Sequence, residues 1–203
     1  ADSLGFTINT FTHILEGYKV ADKMVAHGAA GSTFSDWWAY KYEVKDAIPY
    51  NGAVLYHQGV VTAFNSDDAE MARRLNQEAA KAYKYGRVPE EEALKFVTLN
   101  PAKLLHIDHK TGSLVPGKDA DVVVWSDHPL SIGAMAEQTF VEGVRCFDKE
   151  RDLALREAMR EERARLTAKM YASGETSGGK DQKRPVERVE SHYHCDTLTD
   201  ENR

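Results

Sequence analysis

Three positions in the first third of the chain carry side chains suited to metal-assisted chemistry, and each follows a short β-prone run: His13, Asp36 and Asp67, the last with Asp68 beside it. Neutral imidazole and carboxylate oxygen are both good ligands for a zinc-type divalent ion. At the ends of neighbouring strands they would converge on one opening. The same residues have plainer uses, because a histidine at a strand end is often a hydrogen-bonded structural residue and an aspartate before a helix is often its N-cap. Spacing alone leaves both readings open. A further constellation, His192-Tyr193-His194-Cys195, gathers three potential ligand side chains within four residues. It follows a Gly-, Ser- and charge-rich stretch with little to bury, so a solvated or partner-docked tail is the competing reading there.

The elements that must position these residues alternate in type. Residues 7–11, 30–34 and 60–64 are short, nearly uninterrupted apolar or β-branched runs, as expected of parallel strands covered on both faces. Between them lie EGYKVADKMVAHG, with Val20, Met24 and Val25 near helical spacing and Gly28 as its stop, and AVLYHQG, closed by Gly59. After the third strand, DAEMARRLNQEAAKAYKYG has acids at its front and glycine at its end, and reads as one long helix. His13 and Asp67 are 54 positions apart with one strand between them, which is two units of about 27 residues. That length suits a (β/α)₈ barrel, whose functional side chains project from the C-terminal strand ends. A doubly wound open sheet would fit the spacing too.

Farther along, residues 89–107 predict a second helix, begun by Pro89 and three glutamates. The texture then changes. Gly112-Ser113-Leu114-Val115-Pro116-Gly117-Lys118 is turn chemistry, ADVVVWS is strongly β-prone, and residues 138–147 form another strand with a turn or bulge at Gly143. These strands are too few to be stable alone. From Arg151 a charged helix carries a narrow apolar stripe of Leu155, Met159, Leu166 and Met170. The expected organisation is therefore 1–110 strand-helix units with a following helix, 111–149 a small β-module, 150–171 an amphipathic helix and 172–203 a flexible tail.

With 42% hydrophobic and 29% charged residues and a formal net charge of −6, the composition is that of an ordinary globular protein. It argues against nucleic acid as a partner. No apolar run reaches the length of a membrane span, and the first residues do not read as a signal peptide. Cys146 and Cys195 suggest no disulfide framework, so cytoplasmic and exported locations both stay open.

The stretch TLNPAKLLHIDHKTGSLVPGKDADVVVWSDHPL resembles the C-terminal signature of the metal-dependent amidohydrolase superfamily, in which an N-P-A helix leads into a G-S-L-x-P-G-K-x-A-D turn and strand. FTHILEGYKVADKMVAHGAAGSTFSDWW and VVTAFNSDDAE resemble the sixth-to-eighth-strand region of its imidazolonepropionase-like members. The likeness covers about residues 1–150. It implies the C-terminal part of a (β/α)₈ TIM-type barrel plus part of a small β-sandwich, followed by a helix and tail.

The resemblance also implies roles. His13 corresponds to a metal-ligating histidine at the sixth strand's end, and Asp67 to the aspartate after the eighth strand that ligates metal and moves protons. Asp68 is expected to be a helix N-terminal acid. Asp36, Trp37 and Trp38 fall where the seventh-strand loop would line a substrate pocket, although packing between loop and barrel rim would equally account for the aromatics. The implied cofactor is a divalent metal, zinc first, as one or two ions. The family's first-strand histidines, its fourth-strand bridging residue and its fifth-strand histidine have no counterpart here, and His27, His57, His106, His109 and His128 fall on helices or turns. The remaining strand-helix units are therefore expected from the N-terminal part of the same enzyme, as a separate chain or a missing segment, in an oligomer acting on a small molecule. The completed enzyme would hydrolyse a carbon–nitrogen bond in an amide, cyclic amide or short peptide. A catalytically silent scaffold subunit and a small-molecule-binding module are the alternatives on the same fold.

Overall fold

A computed structural model describes residues 1–173. The candidate ligands His192, His194 and Cys195, and all but the first two residues of the flexible tail expected over 172–203, lie outside the described residues. Among the described residues two three-stranded sheets organise the chain, one parallel and one antiparallel. The first contains β1 (Thr10–Phe11), β2 (Ala30–Thr33) and β3 (Thr62–Phe64) in the order β1-β2-β3. Helices α1 (Ala21–His27) and α2 (Asn51–Gln58) make the two crossovers. Both end at a glycine in the left-handed conformation, Gly28 at φ 84° and Gly59 at φ 96°, where a side chain would be strained.

Strand β1 is shorter than residues 7–11 because neighbouring backbone groups have other uses: the Ile8 N–H donates to His27 Nε2 at 2.8 Å. Alternation along β2 sends Gly31 and Thr33 to the helix side. There Asn51 is buried and fully engaged, its Nδ2 donating to Ile14 O and Thr33 Oγ1 and its Oδ1 accepting from Tyr18 N–H. A satisfied buried amide of this kind fixes α2 against β2 more specifically than apolar packing does.

After β3 the expected single helix is two: α3 (Ala69–Ala72) and α4 (Leu75–Gly86). Asp68 caps α3, its carboxylate accepting from Glu70 N–H and Met71 N–H, while α4 is set by burial of Glu78, Ala79 and Ala82. The helical ladder yields between these two anchors, at Arg74 (φ −128°, ψ 31°). Residues 89–107 also divide, into α5 (Glu90–Lys95) and α6 (Leu99–Leu104). Pro101 is the cause, since its ring can neither donate a hydrogen bond nor accommodate the carbonyl four residues back. The Asn100 side chain then donates to Thr62 O at 2.7 Å and ties α6 to β3.

Phe64, Phe96, Val88, Ala53, Ala82 and Ala93 form the main core cluster, with the Phe64 and Phe96 rings edge to face. Gly52 lies so close to Phe64 that an added Cβ would meet its ring carbons at 2.3 and 2.7 Å. Gly52→Ala is therefore expected to destabilise the protein by about 1–3 kcal/mol, the usual cost of overpacking. Denaturant titration measures it, and an unchanged midpoint would show that Phe64 has room to move.

The second sheet holds β4 (Val122–Trp125), β5 (Ala136–Val141) and β6 (Val144–Asp148), all antiparallel. The strand expected over 138–147 is thus a hairpin. Glu142 (φ 49°) and Gly143 (φ 79°) are both left-handed, as a two-residue turn matched to strand twist requires. Asp148 caps α7 (Lys149–Ala172), a 24-residue helix with no buried residue. Its expected apolar stripe is exposed, and ion pairs such as Arg156–Asp152 and Arg165–Glu162 support it locally. No described helix is long and apolar enough to cross a membrane.

Candidate metal and substrate site

At the C-terminal ends of β1, β2 and β3 the chain brings together His13, Phe34–Trp37 and Asn65–Asp68. His13 lies two residues beyond β1, at φ 52°. Left-handed backbone is uncommon for any residue with a Cβ and concentrates at functional sites. The turn is held on both sides: Leu15 N–H donates to His13 O at 2.9 Å and Ile14 N–H to Ser32 O at 3.1 Å. Its effect is to carry the imidazole from the edge strand across toward the end of β3.

There His13 Nε2 is 3.2 Å from Asp67 Oδ1. Both side chains keep access to solvent, 53% for His13 and 32% for Asp67. Two ligands of one tetrahedral zinc ion, each about 2.0–2.2 Å from it, are themselves roughly 3.4 Å apart. The separation therefore suits a shared ion as well as a hydrogen bond. Nitrogen and carboxylate oxygen are also the donor types zinc takes. Among the described residues no group of three or more histidine, cysteine, aspartate or glutamate side chains forms a metal cluster. Within the described residues, His13 and Asp67 could supply two donors of a larger set. Asp68 points into its own helix as a cap, in keeping with the sequence expectation.

An aromatic wall backs the histidine. The His13 ring lies against Phe34, with centroids 5.4 Å apart and planes 25° apart, and Phe34 stacks on Trp37 at 4.1 Å and 9°. Trp37 meets Tyr40 edge-on, and its Nε1–H donates to Met71 Sδ at 3.1 Å. Of the three residues expected to line a substrate pocket, Trp37 is half-buried in this stack and Trp38 is exposed. Asp36 Oδ1 accepts from Lys81 Nζ at 2.8 Å and lies 3.2 Å from Ser35 Oγ.

Sequence reasoning missed Phe34, Met71, Glu78 and Lys81. Only Phe34 had a local signal, three residues before Trp37 in a turn-forming segment. Glu78 is 6% exposed and hydrogen-bonds Ser35, and Lys81 Nζ reaches both its oxygens at 2.9 and 3.0 Å. Burial alone would lower the Lys81 pKa, but its hydrogen bonds to Asp36 and Glu78 outweigh that and hold it above the ordinary lysine value.

A family profile described as the amidohydrolase family matches residues 10–149. Amidohydrolase tasK of Hapsidospora irregularis is 34% identical over 148 residues, covering 70% of this chain and 15% of its own length. The imidazolonepropionase of Thermoplasma volcanium is 25% identical over 159 residues, covering 74% of this chain and 39% of its own. An amidohydrolase from Thermotoga maritima MSB8 superposes with a TM-score of 0.66 at 33% identity, over 73% of this chain and 39% of that structure. The chain therefore spans well under half the length of these relatives. Its matched region takes in both strand-end ligand candidates and the antiparallel sheet, and the protein belongs to the amidohydrolase family.

Proposed function

We propose that this chain supplies the C-terminal strand-helix units of a (β/α)₈ barrel hydrolase that cleaves a carbon–nitrogen bond with metal-activated water. The observation that carries the reading is the 3.2 Å approach of His13 Nε2 and Asp67 Oδ1 from the ends of β1 and β3, which have one strand between them in the sheet. His13 and Asp67 would hold a divalent ion, zinc first, with its other ligands supplied by the rest of the barrel. When bound, such an ion lowers the pKa of a coordinated water toward neutrality and polarises the scissile carbonyl.

Asp67 takes the proton of the attacking water and returns it to the leaving nitrogen, a role for which it keeps access to the open side of the site. His13, held at its left-handed turn and against Phe34, keeps its ring nitrogen beside that carboxylate. The loop of Asp36, Trp37 and Trp38 forms the wall against which a small amide, cyclic amide or short peptide is placed. The other strands pair with the open edge of β1, which has a single neighbour in the described sheet.

Elemental analysis of the complete enzyme tests this reading. His13→Ala is expected to lose metal occupancy while the protein stays folded, because it removes one ligand from an exposed position. Metal content unchanged by that substitution would rule out the assignment.

A further inference from the structure

We propose that the Glu78–Lys81 pair on α4 is a positioning device, which grips Ser35 and Asp36 and so locks the Phe34–Trp37 stack that holds the His13 ring beside Asp67. This rests on the hydrolase reading above and adds to it two residues that lie behind the aromatic wall rather than on the ion.

The argument follows the contacts outward from His13. At φ 52° and beyond the end of β1, the histidine has no strand partner to fix its ring. One ring face is set by Phe34, and Phe34 by Trp37. These two aromatics are three residues apart, so near-parallel rings at 4.1 Å require residues 35 and 36 to form a tight tip between them. On its outer side Trp37 is tied to Met71 of α3, the helix that Asp68 caps next to Asp67. The circuit from His13 through the stack to Asp67 is thus closed except at the tip.

Helix α4 closes it there. Glu78 sits almost out of water, where an ionised carboxylate persists only with partners. Its partners are Ser35, at the base of the tip, and Lys81 one helical turn on. Lys81 in turn reaches forward to Asp36. Two side chains of α4 therefore fix the two residues that set the spacing of the stack. Such a pair, its carboxylate buried and its lysine half-buried, contributes little net stability but enforces one arrangement, and loss of the lysine leaves a buried carboxylate uncompensated.

The test is the zinc dissociation constant of the complete enzyme, measured by chelator competition. Lys81→Met is expected to weaken zinc by roughly tenfold or more, in the range seen when partners behind metal ligands are removed. Lys81→Arg keeps the charge and is expected to stay within about twofold, which a general loss of packing would not reproduce. Lys81→Met combined with Glu78→Gln leaves no unpaired buried charge, so it guards against misfolding and is expected to weaken zinc as Lys81→Met does. With every tryptophan of the assembly other than Trp37 replaced by phenylalanine, Trp37 emission should shift to the red and become quenchable in both weakened variants. His13→Ala in the parent separates the two layers: zinc affinity unchanged by it sinks the hydrolase reading. If His13→Ala weakens zinc but the folded double variant keeps the parental constant, the positioning role is wrong, whatever Trp37 emission does.

Discussion

Asp67→Asn is expected to lower turnover of the complete enzyme by about 10²–10⁴-fold, the usual contribution of a positioned general acid–base group. The amide keeps the shape of the carboxylate but can neither take the water's proton nor return it to nitrogen. His13 and Asp67 meet at an accessible strand-end surface rather than in the core, so the fold should tolerate the change. The control is one residue away. Asp68 accepts from Glu70 N–H and Met71 N–H, and asparagine caps a helix nearly as well as aspartate. Asp68→Asn should therefore cost at most the roughly 0.3–1 kcal/mol of a charge at a helix N-terminus. Turnover of both variants under saturating substrate makes the comparison. Equal losses would mean that α3, rather than a proton carrier, is what the site needs from this segment.

The alternation of elements was legible in the sequence because its punctuation is local. Gly28 and Gly59 mark helix ends that the structure places at those residues, and the runs at 30–34 and 60–64 hold β2 and β3. Where reading failed, distant contacts had overridden local pattern. The helix over 68–86 breaks because Asp68 and Glu78 answer to different partners. The run at 7–11 loses most of its ladder, with Ile8 engaged by a histidine 19 residues away. At 101 the cause was in view, since a proline in the middle of a presumed helix is a break signal on its own. The same division governs the site. His13 and Asp67 were visible as chemistry-bearing residues at strand ends, and the structure brings them together. Glu78 and Lys81 look like ordinary members of a charged helix face, and only the fold reveals that one of them is buried against Ser35.

The second large effect concerns stability: residues 1–150 expressed alone are expected not to form a cooperatively melting monomer. Among the described residues β1 has a single neighbour and presents an outward row of backbone donors and acceptors, while on the outer side of β3 Phe64 N–H donates to Phe96 O and Thr62 O accepts from Asn100 Nδ2. The core behind them is thin. Of the 18 buried apolar residues among those described, ten are alanine, and Met24, Phe34, Leu55, Phe64 and Phe96 are the large ones. Other apolar side chains stay partly outside: Phe6 is 53%, Phe11 37% and Val61 40% exposed, on or beside the outer strands. Fully burying one such side chain contributes about 1.5–3 kcal/mol, and covering the part still exposed here roughly half of that. Three of them together come to about 2–4 kcal/mol, a large share of the roughly 5–15 kcal/mol that separates a folded domain from its unfolded chain. Strands from the proposed rest of the barrel, the first of them paired to the β1 edge, would cover these groups and satisfy that row of backbone in one step. Sedimentation and thermal melting of the isolated segment, compared with the same segment supplied with the proposed remaining barrel units, measure the difference. Association or non-cooperative melting is expected for the segment alone, and a monomer with a sharp transition in the complemented form. A sharp two-state melt of the isolated monomer would show that the open sheet is complete as it stands, and the barrel reading would fall with it.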